Sequence, residues 1–174
     1  MKEEKARIVL ESIKKEDTPL IVKWRNNDKV RKNFIFQETF TEEMHNCWMD
    51  TKVAGGEVVQ FIIRIKETRE PIGSVYFRDI DYEKKEAEYG VFIGEDTQRG
   101  KGYGSEVAKL ALEYAFKELE LDSVFLRVFA DNQAAIYSYQ SAGFQQTEYQ
   151  KNAVVNDGVY RDLIFMKKYN DYRR

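Results

Sequence analysis

The sequence predicts an α+β domain: a central mixed, mostly antiparallel sheet with one βαβ crossover and about four flanking helices. Three observations point to it. Between residues 58 and 93, three runs rich in apolar and β-branched residues follow one another across short polar turns, which reads as an antiparallel meander. A long helical pattern then leads into a β-branched and aromatic run, as when a strand returns parallel to its predecessor. With 174 residues and 43% hydrophobic content the chain can bury one sizeable core, and nothing marks a second, so residues 1–174 read as a single domain.

Each element has its own justification. Arg7–Ile13 alternates and opens as a strand. Asp17 or Thr18 caps a helix with Pro19 in its first turn and Leu20, Ile21, Trp24 and Val30 at near-helical spacing. A second helix begins at Thr41, a capping hydroxyl soon followed by acid, and carries Met44, Trp48 and Met49 before Gly55-Gly56 breaks the chain. The meander is Val58–Lys66, Gly73–Asp79 and Glu86–Ile93, turning at Glu67–Pro71 and Asp81–Lys85. From Ser105 to Leu121 the polar residues Glu106, Lys109, Glu113, Lys117 and Glu120 fall three or four apart, so a mostly buried helix shows water one narrow stripe. Ser123–Phe129 is the returning strand. Asn132–Ala142 is a short helix capped by Asp131 or Asn132 and stopped by Gly143. Phe144–Tyr149 and Asp162–Lys168 close the chain as a hairpin whose loop holds Asn156-Asp157-Gly158.

Composition narrows the function. A net charge of −2 gives no reason to expect a nucleic acid held on a basic surface. One cysteine, Cys47, excludes an internal disulfide and reads as a small buried side chain; with one histidine, His45, it leaves too few soft ligands for zinc, so no metal is expected. MKEEKARIVL lacks the apolar core of a secretory signal, and no apolar run approaches membrane-spanning length, so a cytoplasmic protein without a membrane partner is expected.

The most informative segment is Arg99-Gly100-Lys101-Gly102-Tyr103-Gly104, between a strand and a helix. A glycine-rich turn into a helix N-terminus aims unpaired backbone N–H groups at one spot where the helix dipole favours negative charge. Bare Cα atoms let a diphosphate approach the main chain, and Arg99 and Lys101 add positive charge.

Two motifs in order around this unit, Arg99-x-x-Gly102-x-Gly104 and Asn132-x-x-Ala135-Ile136-x-x-Tyr139 followed by Gly143-Phe144, resemble those of the GCN5-related N-acetyltransferases. The resemblance covers nearly the whole chain. Trp24-Arg25-Asn26, Ile72-Gly73-Ser74-Val75 and Glu88-Tyr89-Gly90 are similar to a branch holding ribosomal-protein alanine, spermidine and nucleotide-linked amino-sugar acetyltransferases. Trp24-Arg25-Asn26 with His45-x-x-Trp48 looks most like the amino-sugar group.

The resemblance implies acetyl transfer from acetyl-CoA to a primary amine: a small molecule, a nucleotide-linked amino sugar, a polyamine or a protein N-terminus. It places the diphosphate on the main chain of Arg99, Gly100, Lys101, Gly102, Tyr103 and Gly104. The pantetheine arm pairs along Val91, Phe92 and Ile93, with Asn132 as a further contact. Tyr139 aligns with the tyrosine that protonates the leaving thiolate, although Ser138 replaces the usual leucine before it and Tyr137 is next in line. A phenol near pKa ~10 can give its proton to a thiolate near ~8.5. Glu88 shares a strand face with Glu86, Gly90 and Phe92 and is the first choice of base for the ammonium proton. Trp24, Arg25, His45 and Trp48 are acceptor-specificity candidates, and Arg25, Lys29, Arg31 and Lys32 make the first-helix region basic, which suits an anionic acceptor. The rival reading is a non-catalytic acyl-CoA-binding module. A monomer or homodimer is expected.

Overall fold

The computed structural model describes residues 6–172. Seven strands form one sheet in the order β1-β2-β3-β4-β5-β7-β6: β1 Ile8–Ser12, β2 Val59–Ile65, β3 Pro71–Asp81, β4 Glu86–Ile93, β5 Ser123–Phe129, β6 Gln145–Asn156 and β7 Val159–Tyr169. Every neighbouring pair is antiparallel except β4 with β5, the crossover pair.

The helices divide between the two faces. On one lie α4 (Tyr103–Lys117) and α5 (Gln133–Ser141). Val107, Ala108, Ala111, Leu112, Ala115 and Phe116 of α4 press onto Val75, Phe77, Ala87 and Tyr89 of the sheet. Each large apolar side chain buried there stabilises by about 1.5–3 kcal/mol. The other face carries α1 (Thr18–Arg25), the single turn α2 (Asp28–Arg31) and α3 (Glu42–Trp48), which runs on into a π-helical turn at Met49–Val53. Ile21, Trp24, Val30 and Met49 meet Ile62 and Phe92 in this smaller core.

Several expectations shift. Val30 sits in α2 because the Asn27 side chain accepts a hydrogen bond from the Lys29 amide and starts a new helix. α4 begins at Tyr103, two residues early, since Gly102 adopts φ 80° as its N-cap, and it ends at Lys117; Leu121 is in the core but outside the helix. The final hairpin is much longer than predicted and turns at Asp157-Gly158, both at positive φ. Cys47 is exposed rather than buried.

Candidate active site

β4 and β5 pair only through Glu86–Ser123, Ala87–Val124 and Glu88–Phe125, although β4 continues to Ile93 and β5 to Phe129. Past Glu88 the two strands part, leaving the β5-facing main chain of Tyr89–Ile93 without a strand partner. A cleft of about 710 Å³ opens at this split, and all of the sequence-predicted catalytic residues and most of the binding residues line it. Lys101 is the exception: its ammonium lies near Gln98 Oε1, at 3.3 Å.

At one end of the cleft stands the N-terminus of α4. It has no side-chain cap, so its first amides remain available, and Gly100 and Gly102 take φ of 77° and 80°, a region costly for other residues. Gly104 serves packing: a Cβ there would lie 3.1 Å from Ser138 Oγ of α5. Arg99 reaches back, donating to the Ile93 carbonyl at 2.6 Å and pairing with Asp96, which ties the glycine turn to the end of β4. The Phe92 ring packs edge-on against Trp24 and Phe34 in the smaller core. Asn132 caps α5 by accepting from the Ala135 amide at 3.3 Å. This unpaired strand edge beside unfilled helix amides suits an extended, amide-bearing molecule with a diphosphate.

Tyr139 lines the cleft, 9% exposed and edge-on to Tyr89 and Phe144. Burial raises its phenol well above the ordinary tyrosine range, so it holds its proton at neutral pH. Tyr137 is 72% exposed and does not line the cleft. Across the cleft, Glu88 is held by Arg127, whose Nε donates at 2.7 Å and Nη2 at 3.4 Å. Glu86, on the same face of β4, is not among the cleft-lining residues and is bonded to Lys167 and Ser123.

The far half of the cleft is aromatic and basic. The Arg25 guanidinium stacks over Phe34 at 3.8 Å and Phe40 at 4.4 Å, and desolvation lowers its pKa. Neither Arg25 nor Lys29 has a carboxylate partner among the described residues. His45 is 1% exposed; its Nδ1 meets Thr18 Oγ1 at 2.9 Å, and burial lowers its pKa so that it is neutral at pH 7. Trp24 is buried and donates to Glu95 at 2.8 Å, a core role.

Besides Arg127, two residues escaped the sequence reading. Arg7 binds Glu106 at 2.9 Å, donates to the Lys101 carbonyl at 3.0 Å and stacks on Tyr103, so a residue 94 positions away braces the glycine turn. No local pattern announces such a contact. Arg7→Ala is expected to raise the KM for acetyl-CoA about tenfold, the loss of one charged hydrogen-bond set, with kcat little changed. Equal kinetic constants would remove Arg7 from the site. The second is Tyr76, whose ring lies over Gly90; a glycine inside a strand pattern signals such an approach.

The sequence model of the acetyltransferase (GNAT) domain matches residues 7–145. The chain belongs to the GNAT acetyltransferase family. This GNAT acetyltransferase is 25% identical over 173 residues to the spermidine N(1)-acetyltransferase of Vibrio cholerae serotype O1, covering 94% of this chain and 96% of that one. It is 27% identical over 161 residues to the spermidine N(1)-acetyltransferase of Escherichia coli K12, with 91% and 84% covered. The crystal structure of the Vibrio cholerae spermidine N-acetyltransferase in complex with CoA and spermine superposes with a TM-score of 0.88 at 20% identity, covering 95% of this chain and 97% of that one. A dodecameric structure of the Vibrio cholerae enzyme in an intermediate state gives 0.83 at 22% identity, with 97% of each chain covered. The protein is therefore an acetyl-CoA-dependent N-acetyltransferase.

Proposed function

We propose that this GNAT acetyltransferase acts on a primary amine carried by an anionic small molecule, a nucleotide-linked amino sugar being the class that fits. One observation carries the reading. Among the described residues lining the cleft, Glu88 is the sole carboxylate, against Arg25, Lys29, Arg78, Arg99 and Arg127. Arg127 neutralises Glu88, and Arg78 and Arg99 pair with Asp79 and Asp96 just outside the lining, so it is Arg25 and Lys29, without carboxylate partners among the described residues, that give the acceptor half a positive field attracting phosphate and repelling a polycation. Phe34, Phe40 and Trp48 add flat apolar surface for a ring.

In this reading the main chain of Val91 and Ile93 pairs with the pantetheine amides, and the amides of Arg99–Gly104 receive the diphosphate. Glu88, two of its roughly four lone-pair sites taken by Arg127, receives the amine's proton directly or through water. Tyr139 gives its proton to the departing sulfur.

The polyamine reading has the names of the relatives in its favour and the charge of the cleft against it. The two part in a panel of amines assayed with acetyl-CoA for thiol release. Nucleotide-linked amino sugars are expected to exceed spermidine in kcat/KM by at least a hundredfold; spermidine as the better acceptor would reverse the assignment. Stabilisation by acetyl-CoA with no thiol release from any amine would favour a binding module.

A further inference from the structure

We propose that Tyr76 orients the acceptor amine for attack, a role that rests on the transfer reaction proposed above. Tyr76 on β3 is the Cα partner of Gly90 on β4. Its ring leans across that glycine: a Cβ at position 90 would lie 2.3 Å from Tyr76 Cζ and 2.5 Å from its Oη. The hydroxyl end therefore overlies the backbone of β4 next to Val91, where the strand has just parted from β5, and the residue lines the cleft. No side chain among the described residues hydrogen-bonds this hydroxyl.

The ring is placed by a chain of buried contacts. Trp48 meets Tyr76 edge-on, with centroids 6.3 Å apart. The Trp48 indole N–H donates to Gln60 Oε1 at 2.9 Å, Gln60 Nε2 donates to Ser74 Oγ at 2.9 Å, and Ser74 Oγ donates to the Phe61 carbonyl at 2.8 Å. Gln60 and Ser74 are both buried. Three hydrogen bonds thus hold the wall against which Tyr76 rests, while its own hydroxyl is left for a ligand.

Tyr76 and Tyr139 act from opposite sides. Tyr139 packs with Tyr89 and Phe144 on the α4 side of the sheet, whereas Tyr76 stands with Trp48 on the α1–α3 side. An amine entering from the acceptor half meets Tyr76 first. The phenol oxygen accepts an N–H of the neutral amine, which turns the nitrogen lone pair toward the acetyl carbonyl carbon. With the ammonium proton already given to Glu88, the N–C bond forms and the C–S bond breaks; the Tyr139 proton goes to sulfur, and the nitrogen's second proton restores the phenol. Burial raises the Tyr76 pKa, so the phenol keeps its own proton throughout.

Tyr76→Phe tests this, because it retains the ring on Gly90 and Trp48 and removes only the oxygen. On any amine the wild type turns over, kcat is expected to fall at least tenfold. The KM for acetyl-CoA and its slow hydrolysis without amine should stay unchanged. Wild-type thiol release matched within twofold by Tyr76→Phe would uphold the reaction and overturn the inference. Gly90→Ala is a second test: it should lower kcat when Tyr76 is present, by displacing the ring, yet add no further loss in a Tyr76→Ala background. A full additional loss there would equally overturn the role.

Discussion

Tyr139→Phe is expected to lower kcat by about 10²-fold or more while leaving the KM for acetyl-CoA within a factor of two, since general acid catalysis contributes about 10²–10⁴. The ring's packing against Tyr89 and Phe144 survives the change, so the loss reads the proton alone. Because burial raises this phenol's pKa, the acid stays loaded as pH rises; a group with an elevated pKa loses its proton only above that value. The pH–rate profile of the wild type should accordingly climb as the amine deprotonates and then stay level to about pH 10, the ordinary tyrosine value. A descending limb between about pH 8 and 9, or a variant as fast as wild type, would take the role from Tyr139.

Arg25→Glu is expected to have the second large effect, with a sign that depends on the acceptor. A guanidinium ~8 Å from a phosphate at an effective dielectric of ~20 contributes about 2 kcal/mol, and reversing its sign changes the interaction by about 4 kcal/mol, roughly 10³-fold. The kcat/KM for a nucleotide-linked amino sugar should fall by up to that factor. For spermidine, a cation, it should rise. The opposite pair of outcomes would reverse the charge assignment made for the cleft. Because Arg25 also packs between Phe34 and Phe40, Arg25→Gln serves as the partner variant, with an effect in the same direction and smaller.

What the letters revealed and hid follows from the range of each interaction. The meander, the crossover helix and the glycine turn rest on spacing within a few residues, and their positions emerge nearly as read. Boundaries fail where a single backbone angle decides, as at Gly102, or where an apolar residue such as Leu121 fills the core from outside its helix. The length of β6 and β7 stayed hidden because β6 is largely exposed and lacks apolar alternation. At the site, the positions of Tyr139, Glu88 and Asn132 on the cleft follow their motifs. The Glu88–Arg127 pair, the brace from Arg7 and the ring of Tyr76 over Gly90 join residues that are distant in sequence, or are set by side-chain packing, and no local pattern encodes them.

The early parting of β4 from β5 leaves a seam through the middle of the sheet instead of at its rim. Central strands ordinarily give up their amide hydrogens to heavy water last. In the free enzyme, those amides between Tyr89 and Ile93 that face the gap should exchange ahead of their neighbours bonded to β3, and a bound donor should slow them selectively. Ligand occupancy would then be written in the isotope pattern of one half of a single strand.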